Sequence, residues 1–136
     1  MKKNNFIIAS FFGTTAVALG ALGAHFLKSK MQAGIISADQ LSGFDTASKY
    51  QLFHAIVLLI IAFLQSDKQQ KWLNYARYSF IIGILLFSFS IYLLSTRSLT
   101  GLQNISFLGP ITPLGGLSLM AGWIFLGLHG VKSQNQ

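Results

Sequence analysis

The chain contains no cysteine, only three acidic residues and only two prolines in 136 positions. Without cysteine there can be no disulfide, thiolate nucleophile or thiolate metal ligand, although the redox compartment stays open. The acids, Asp39, Asp45 and Asp67, are scattered, which excludes paired carboxylates for glycoside chemistry and a Ser-His-carboxylate triad with sensible spacing. All three also fall outside the long apolar stretches, so the intramembrane carboxylate expected of a small proton-coupled antiporter is missing. Two histidines near one another, without a thiolate or nearby carboxylate, make a poor zinc site. No phosphate-cradling glycine loop is present. The chain is therefore expected to be non-enzymatic, with no metal and no cofactor.

Charge of either sign is scarce, at 10% of residues, against about 25% in soluble domains. Apolar residues make up 52% and the mean hydropathy is +0.56. Charge-free runs cover 4–27, 50–66, 78–96 and 98–131, each long enough to cross a hydrocarbon core about 30 Å thick. Four spans, at about 5–27, 47–65, 76–95 and 108–130, leave no room for an extramembrane core. The expected fold class is all-α: one membrane domain over 1–136, an integral four-helix bundle with a short interfacial helix between the first two spans. No internal repeat supports an inverted-repeat transporter.

The net charge of +7 comes from lysines and arginines at span ends, where they snorkel to headgroups and attract anionic lipid. A basic face is lacking, which excludes nucleic acid as a partner. Lys2 and Lys3 before an apolar stretch imitate a secretory signal, but the run is too long and further spans come after it, so the first span is expected to be retained. Lys2, Lys3, Lys68, Lys71, Arg77 and Lys132 fall on one side, against Lys28, Lys30, Lys49 and Arg97 on the other. The positive-inside rule then places both termini in the cytoplasm.

Within 29–47, Ser37 is a helix cap and Asp39 suits the positive N-terminal end of the helix it opens. Leu41 and Phe44 share one side of that helix, as an interfacial helix requires, and Gly43 is expected to break it. The polar stretch 67–73 forces spans two and three into an antiparallel hairpin. Gly101 and Asn104 are turn formers between spans three and four. Pro110 and Pro113 fall near the start of span four, where missing amide hydrogens cost least.

Small residues mark expected helix contacts. Ala16, Gly20 and Ala24 recur every four residues in span one, beside a second stripe of Ala9, Gly13 and Ala21. In span four Gly115, Ser118 and Gly122 lie within about 60° of one another. Spans one and four are expected to pack centrally. Bundle packing is the first meaning of such stripes.

Residues with chemical potential gather at one end of an up-down-up-down bundle. His25 closes span one, Tyr50 and His54 share a face at the start of span two, Ser88, Ser90 and Tyr92 end span three, and Thr112 begins span four. His54 lies roughly 6–10 Å inside its span, where ring nitrogens need partners. Tyr50 is its nearest local candidate. His25, Tyr50, His54, Tyr92 and Thr112 are the expected polar cluster, read first as interhelical hydrogen bonding and second as a binding or proton-relay site. His129 lies at the opposite end, near Lys132.

The blocks Gly20-Ala21-Leu22-Gly23-Ala24-His25, then 44–55 (FDTASKYQLFHA), then 109–116 (GPITPLGG) with Gly122-Trp123 resemble the domain of unknown function 423 family. The resemblance covers nearly the whole chain. It implies a four-helix protein of the bacterial cytoplasmic membrane and no established activity or cofactor. Ser88-Phe89-Ser90-Ile91-Tyr92 is similar to that family's third span, with Phe89 standing where glycine is frequent. Two functional expectations result. The first is a scaffold or accessory protein that binds lipid, another membrane protein or itself. The alternative is a small oligomeric transport or channel module with a His/Tyr-lined cavity.

Overall fold

A computed structural model describes residues 2–65, 70–102 and 104–133. Helix α1 (Lys2–Leu22) runs through a π-helical turn (Gly23–Leu27) into α2 (Lys28–Gln32), succeeded by α3 (Ala38–Leu64), α4 (Lys71–Thr100), a 3-10 turn (Ser106–Leu108) and α5 (Ile111–Ser133). No strand occurs among the described residues. Four stretches, Lys3–Gln32, Ala38–Leu64, Lys71–Thr100 and Ser106–Lys132, are long and apolar enough to cross a membrane. The polar connection containing Asp67 and Lys68 lies outside the described residues.

Local chemistry sets the helix ends. The Ser37 hydroxyl accepts from the Gln40 amide at 3.1 Å and the Gln40 side chain accepts from the Ser37 amide at 2.9 Å, a reciprocal capping box. Gly101 ends α4 at φ +71°, a left-handed conformation that costs a residue without Cβ nothing. Pro110 precedes α5 and Pro113 is its third residue, where no intrahelical donor is lost.

The helices form an open row in the order α1, α3, α4, α5. Each packs on the next, and among the described residues no Cα of α1 comes within 8 Å of α5. The exposed area of 8227 Å² exceeds the roughly 7,000 Å² of a compact soluble monomer of this mass. The expected central position of spans one and four is thus reversed: half of an 18-residue apolar stretch of α3 is buried and 39% of that of α4, against 22% and 17% for the first and last spans. The small residues do mark close contacts, but each stripe serves its chain neighbour. Gly20 faces Ser48 of α3, and a Cβ at Gly115 would overlap the Phe87 backbone of α4. At Gly122 an added Cβ would sit 2.7 Å from the Phe80 ring.

The two stripes of span one are also redrawn. Ala9, Ala16 and Gly23 are buried and Gly13 faces Ala55, whereas Ala21 and Ala24 are exposed. The packed face uses one stripe and then the other, and the π turn rotates the side chains beyond Leu22. The interfacial helix does not stand apart either. Ala38 to Phe44 are the first turns of α3. Gly43 does not break it; its bare Cα instead lets α4 approach, since a Cβ there would lie 3.1 Å from Ser95 Oγ.

Two apolar cores result. One, nearer the chain termini, gathers Phe12, Leu58, Ile61, Leu73, Phe80 and Leu119; the other, at the far end, gathers Leu27, Ile36, Phe44, Ala47 and Tyr92. Large apolar side chains such as Phe11, Phe63, Met120 and Ile124 stay more than 60% exposed, as lipid-facing positions should. Phe89 is among the exposed ones at 58%, so replacing a frequent glycine there leaves the packing of α4 untouched.

Candidate functional site

Interior polar side chains sort into separate interhelical contacts. The first belongs to His54, which is 6% exposed on α3. Its Nδ1 lies 2.7 Å from the Tyr50 carbonyl, and its Nε2 lies 3.2 Å from the Trp123 indole nitrogen on α5. An indole N–H only donates and a carbonyl only accepts. The imidazole therefore carries its proton on Nδ1 and accepts at Nε2, with both nitrogens satisfied. The rings of Phe80 and Trp123 flank it at 5.4 and 6.1 Å.

The second contact centres on Gln51, which is 4% exposed. Its amide nitrogen donates to the Phe12 carbonyl at 2.9 Å and to Thr15 Oγ1 at 2.7 Å, and its carbonyl oxygen accepts from the Tyr92 hydroxyl at 2.9 Å. One side chain thus ties α1, α3 and α4. The third is a pair of hydroxyls, Ser90 and Thr112, 2.7 Å apart between α4 and α5. Ser88 donates to the Ala47 carbonyl and Ser118 to the Ser79 carbonyl, each at 2.9 Å.

The five residues expected to converge are distributed over these contacts. His25 is exposed within the π turn. Tyr50 is 44% exposed; its carbonyl serves His54, and its ring stacks on Phe87 at 4.9 Å. Tyr92 reaches Gln51, and Thr112 reaches Ser90. Gln51 and His54, three residues apart, differ by 60° around the helix, enough to turn one toward α1 and the other toward α5. Sequence reasoning gave Gln51 no role, although an amide inside a charge-free run is a signal that it must find partners. Among the described residues no three His, Cys, Asp or Glu side chains form a metal-holding group.

A further polar cluster at the end carrying the termini was also missed. Arg77, only 8% exposed, donates from Nη1 to Asn5; Asn5 donates to Gln65; and Gln65 donates to Asn74 at 3.1 Å. The guanidinium lies 4.2 Å from the Tyr78 ring centre, and its Nε has no partner among the described residues. The space beside Arg77, Asn5 and Leu58 leaves no room for a guest the size of water. Nearby, Lys132 stands over Trp72 at 4.7 Å and Lys71 over Tyr75 at 5.7 Å, an aromatic and basic rim of the kind found at membrane interfaces.

The opposite end is open. A cavity of about 500 Å³ lies between the π turn with α2 and the first turns of α3, lined by Gly20, Gly23, Ala24, Lys28, Ser42 and Asp45 among others. Asp45 is bridged to Lys49 at 2.6 Å, with both side chains more than half exposed.

The family described as "Protein of unknown function (DUF423)" matches residues 19–116. The chain is 36% identical over 135 residues to a UPF0382 membrane protein of Haemophilus influenzae, covering 99% of both chains. It is 37% identical over 134 residues to the UPF0382 membrane protein YwdK of Bacillus subtilis, covering 93% of this chain and 94% of that one. It is 32% identical over 126 residues to the UPF0382 inner membrane protein YgdD of Escherichia coli, covering 93% and 88%. No solved structure matches the chain significantly.

Proposed function

Since the chain belongs to the DUF423 family of membrane proteins, we propose that it acts there as a non-enzymatic scaffold or accessory protein, holding lipid or another membrane protein against its open flanks. The observation that carries this reading is the pairing of its interior polar groups. His54, Gln51, Tyr92, Ser90 and Thr112 each meet a partner on another helix or turn. Such bonds hold helices in register and engage the polar atoms of these five side chains. The flanks of α1 and α5 face outward, with Phe11 at 61% and Ile124 at 62% exposure. The relative from Escherichia coli is named an inner membrane protein, which supports the cytoplasmic membrane as the location. The six-to-four excess of cations at the end carrying the termini supports a cytoplasmic position for both.

The transport alternative would require the histidine to exchange protons with a water-filled path, and the Trp123 indole and Tyr50 carbonyl occupy both of its nitrogens. The test is native mass spectrometry of protein extracted with its lipid, paired with a proton-flux assay in liposomes, for wild type and His54→Ala. A discrete bound protein or lipid in both, with no flux in either, is expected. Proton movement that disappears with His54→Ala would overturn the reading.

A further inference from the structure

The cavity at the π turn straddles the membrane boundary. The charge-free runs end at Leu27 and begin again at Tyr50, so Lys28 and Lys49 mark the headgroup level of the first two spans. Gly20, Gly23 and Ala24, on the same wall of the cavity, lie one to two turns deeper along α1 and the π turn. The roughly 500 Å³ space is therefore bare and apolar on its deep side, while Lys28 and Asp45 stand at its mouth beside Ser42, Met31, Ala38 and Leu41, so the deep wall suits an acyl chain and the mouth a charged headgroup.

The shape has a local cause. The Lys28 amide bonds to the Gly23 carbonyl five residues back, which defines the π turn. Gly23 is pinned against Phe44, since a Cβ there would lie 3.1 Å from the ring. The widened turn leaves Ala24 exposed beside Lys28 on the cavity wall, while Leu27 is buried. Single π turns inside α-helices are frequent at functional sites.

The charges at the mouth select the headgroup. Lys28 pairs with no carboxylate among the described residues. Asp45 is shared with Lys49 across an exposed pair, which contributes little and exchanges readily. We propose that this cavity binds one phospholipid bearing a primary ammonium group, with its phosphate on Lys28, its ammonium on Asp45 and an acyl chain along Gly20, Gly23 and Ala24. A purely anionic headgroup would satisfy Lys28 and be repelled by Asp45. This assignment rests on the lipid binding of the proposed function and names its site: no retained lipid in wild type would remove both, whereas retention kept in Ala24→Leu would remove the cavity alone.

The experiment places wild type, Lys28→Ala, Asp45→Asn and Ala24→Leu in nanodiscs of phosphatidylethanolamine and phosphatidylglycerol in equal amounts, and reads retained lipid by native mass spectrometry. Ala24 is exposed, so Ala24→Leu fills the cavity without entering a packed core. Wild type is expected to retain one phosphatidylethanolamine per chain. Lys28→Ala should lower its retention about tenfold, the scale of one charge-assisted hydrogen bond, Ala24→Leu should lower it by filling the space the acyl chain would take, and Asp45→Asn should shift the preference toward phosphatidylglycerol. Equal retention by Ala24→Leu, or a preference that ignores Asp45→Asn, would overturn the proposal.

Discussion

The two ends of the bundle handle charge in opposite ways. At the end carrying the termini, Arg77 is drawn inside and donates to Asn5, which is tied in turn through Gln65 to Asn74, with the surrounding space closed. At the other end Lys28, Asp45 and Lys49 stay at the surface, with Lys28 and Asp45 on the wall of an open cavity. A buried cation with neutral partners costs several kcal/mol of desolvation, which only good hydrogen bonds offset, whereas an exposed pair costs and contributes little. The first end is thus built to hold three helices together, and the second is free to accept a guest. Stability should depend on the closed end and ligand retention on the open one.

The largest expected effect lies at neither end, and it sets the scale for the comparison. In Gly115→Leu the side chain would overlap the Phe87 backbone, and α4 cannot yield without losing its seat on α3. A loss of about 3 kcal/mol or more is expected, read as thermal unfolding in detergent; a change below about 1 kcal/mol would mean that α5 packs elsewhere. Next comes Asn5→Ala, which strips the acceptor from buried Arg77. It should cost about 2–3 kcal/mol. If the buried charge is what makes this end demanding, Arg77→Met in the same background should recover most of that loss; a failure to recover would sharpen the comparison by assigning the cost to packing on Asn5 alone.

The spans and the cap of α3 were legible because charge placement and capping chemistry are local. Ser37 and Gln40 form their box from neighbours three residues apart. The partner of each glycine was not legible: Gly20 and Gly115 announce close approach, but the partner is chosen by chain connection, which pairs α1 with α3 and α5 with α4. The polar cluster failed for a related reason. Placing His54, Tyr92 and Thr112 at one depth fixed their height but not their direction, and a 60° turn separates Gln51 from His54. The π turn was not legible either, since Gly23 in it packs against the Phe44 ring of α3 from a distant part of the chain. Arg77 counted as a surface cation until Asn5 supplied a partner 72 positions away.

The smallest effect belongs to the open end and tests the contrast from its other side. Lys49 and Asp45 are four apart on α3 with side chains 63% and 55% exposed, and such pairs contribute no more than about 0.5 kcal/mol. Asp45→Asn should leave the unfolding temperature within a degree or two of wild type at low salt and indistinguishable from it at high salt, where screening removes what remains. Because the same substitution removes a charge from the cavity mouth, a retained fold with altered lipid preference would separate binding from stability at one residue. A loss of stability comparable to that of Asn5→Ala would erase the difference between the ends, since it would mean that the surface pair also fastens α3 to its neighbours.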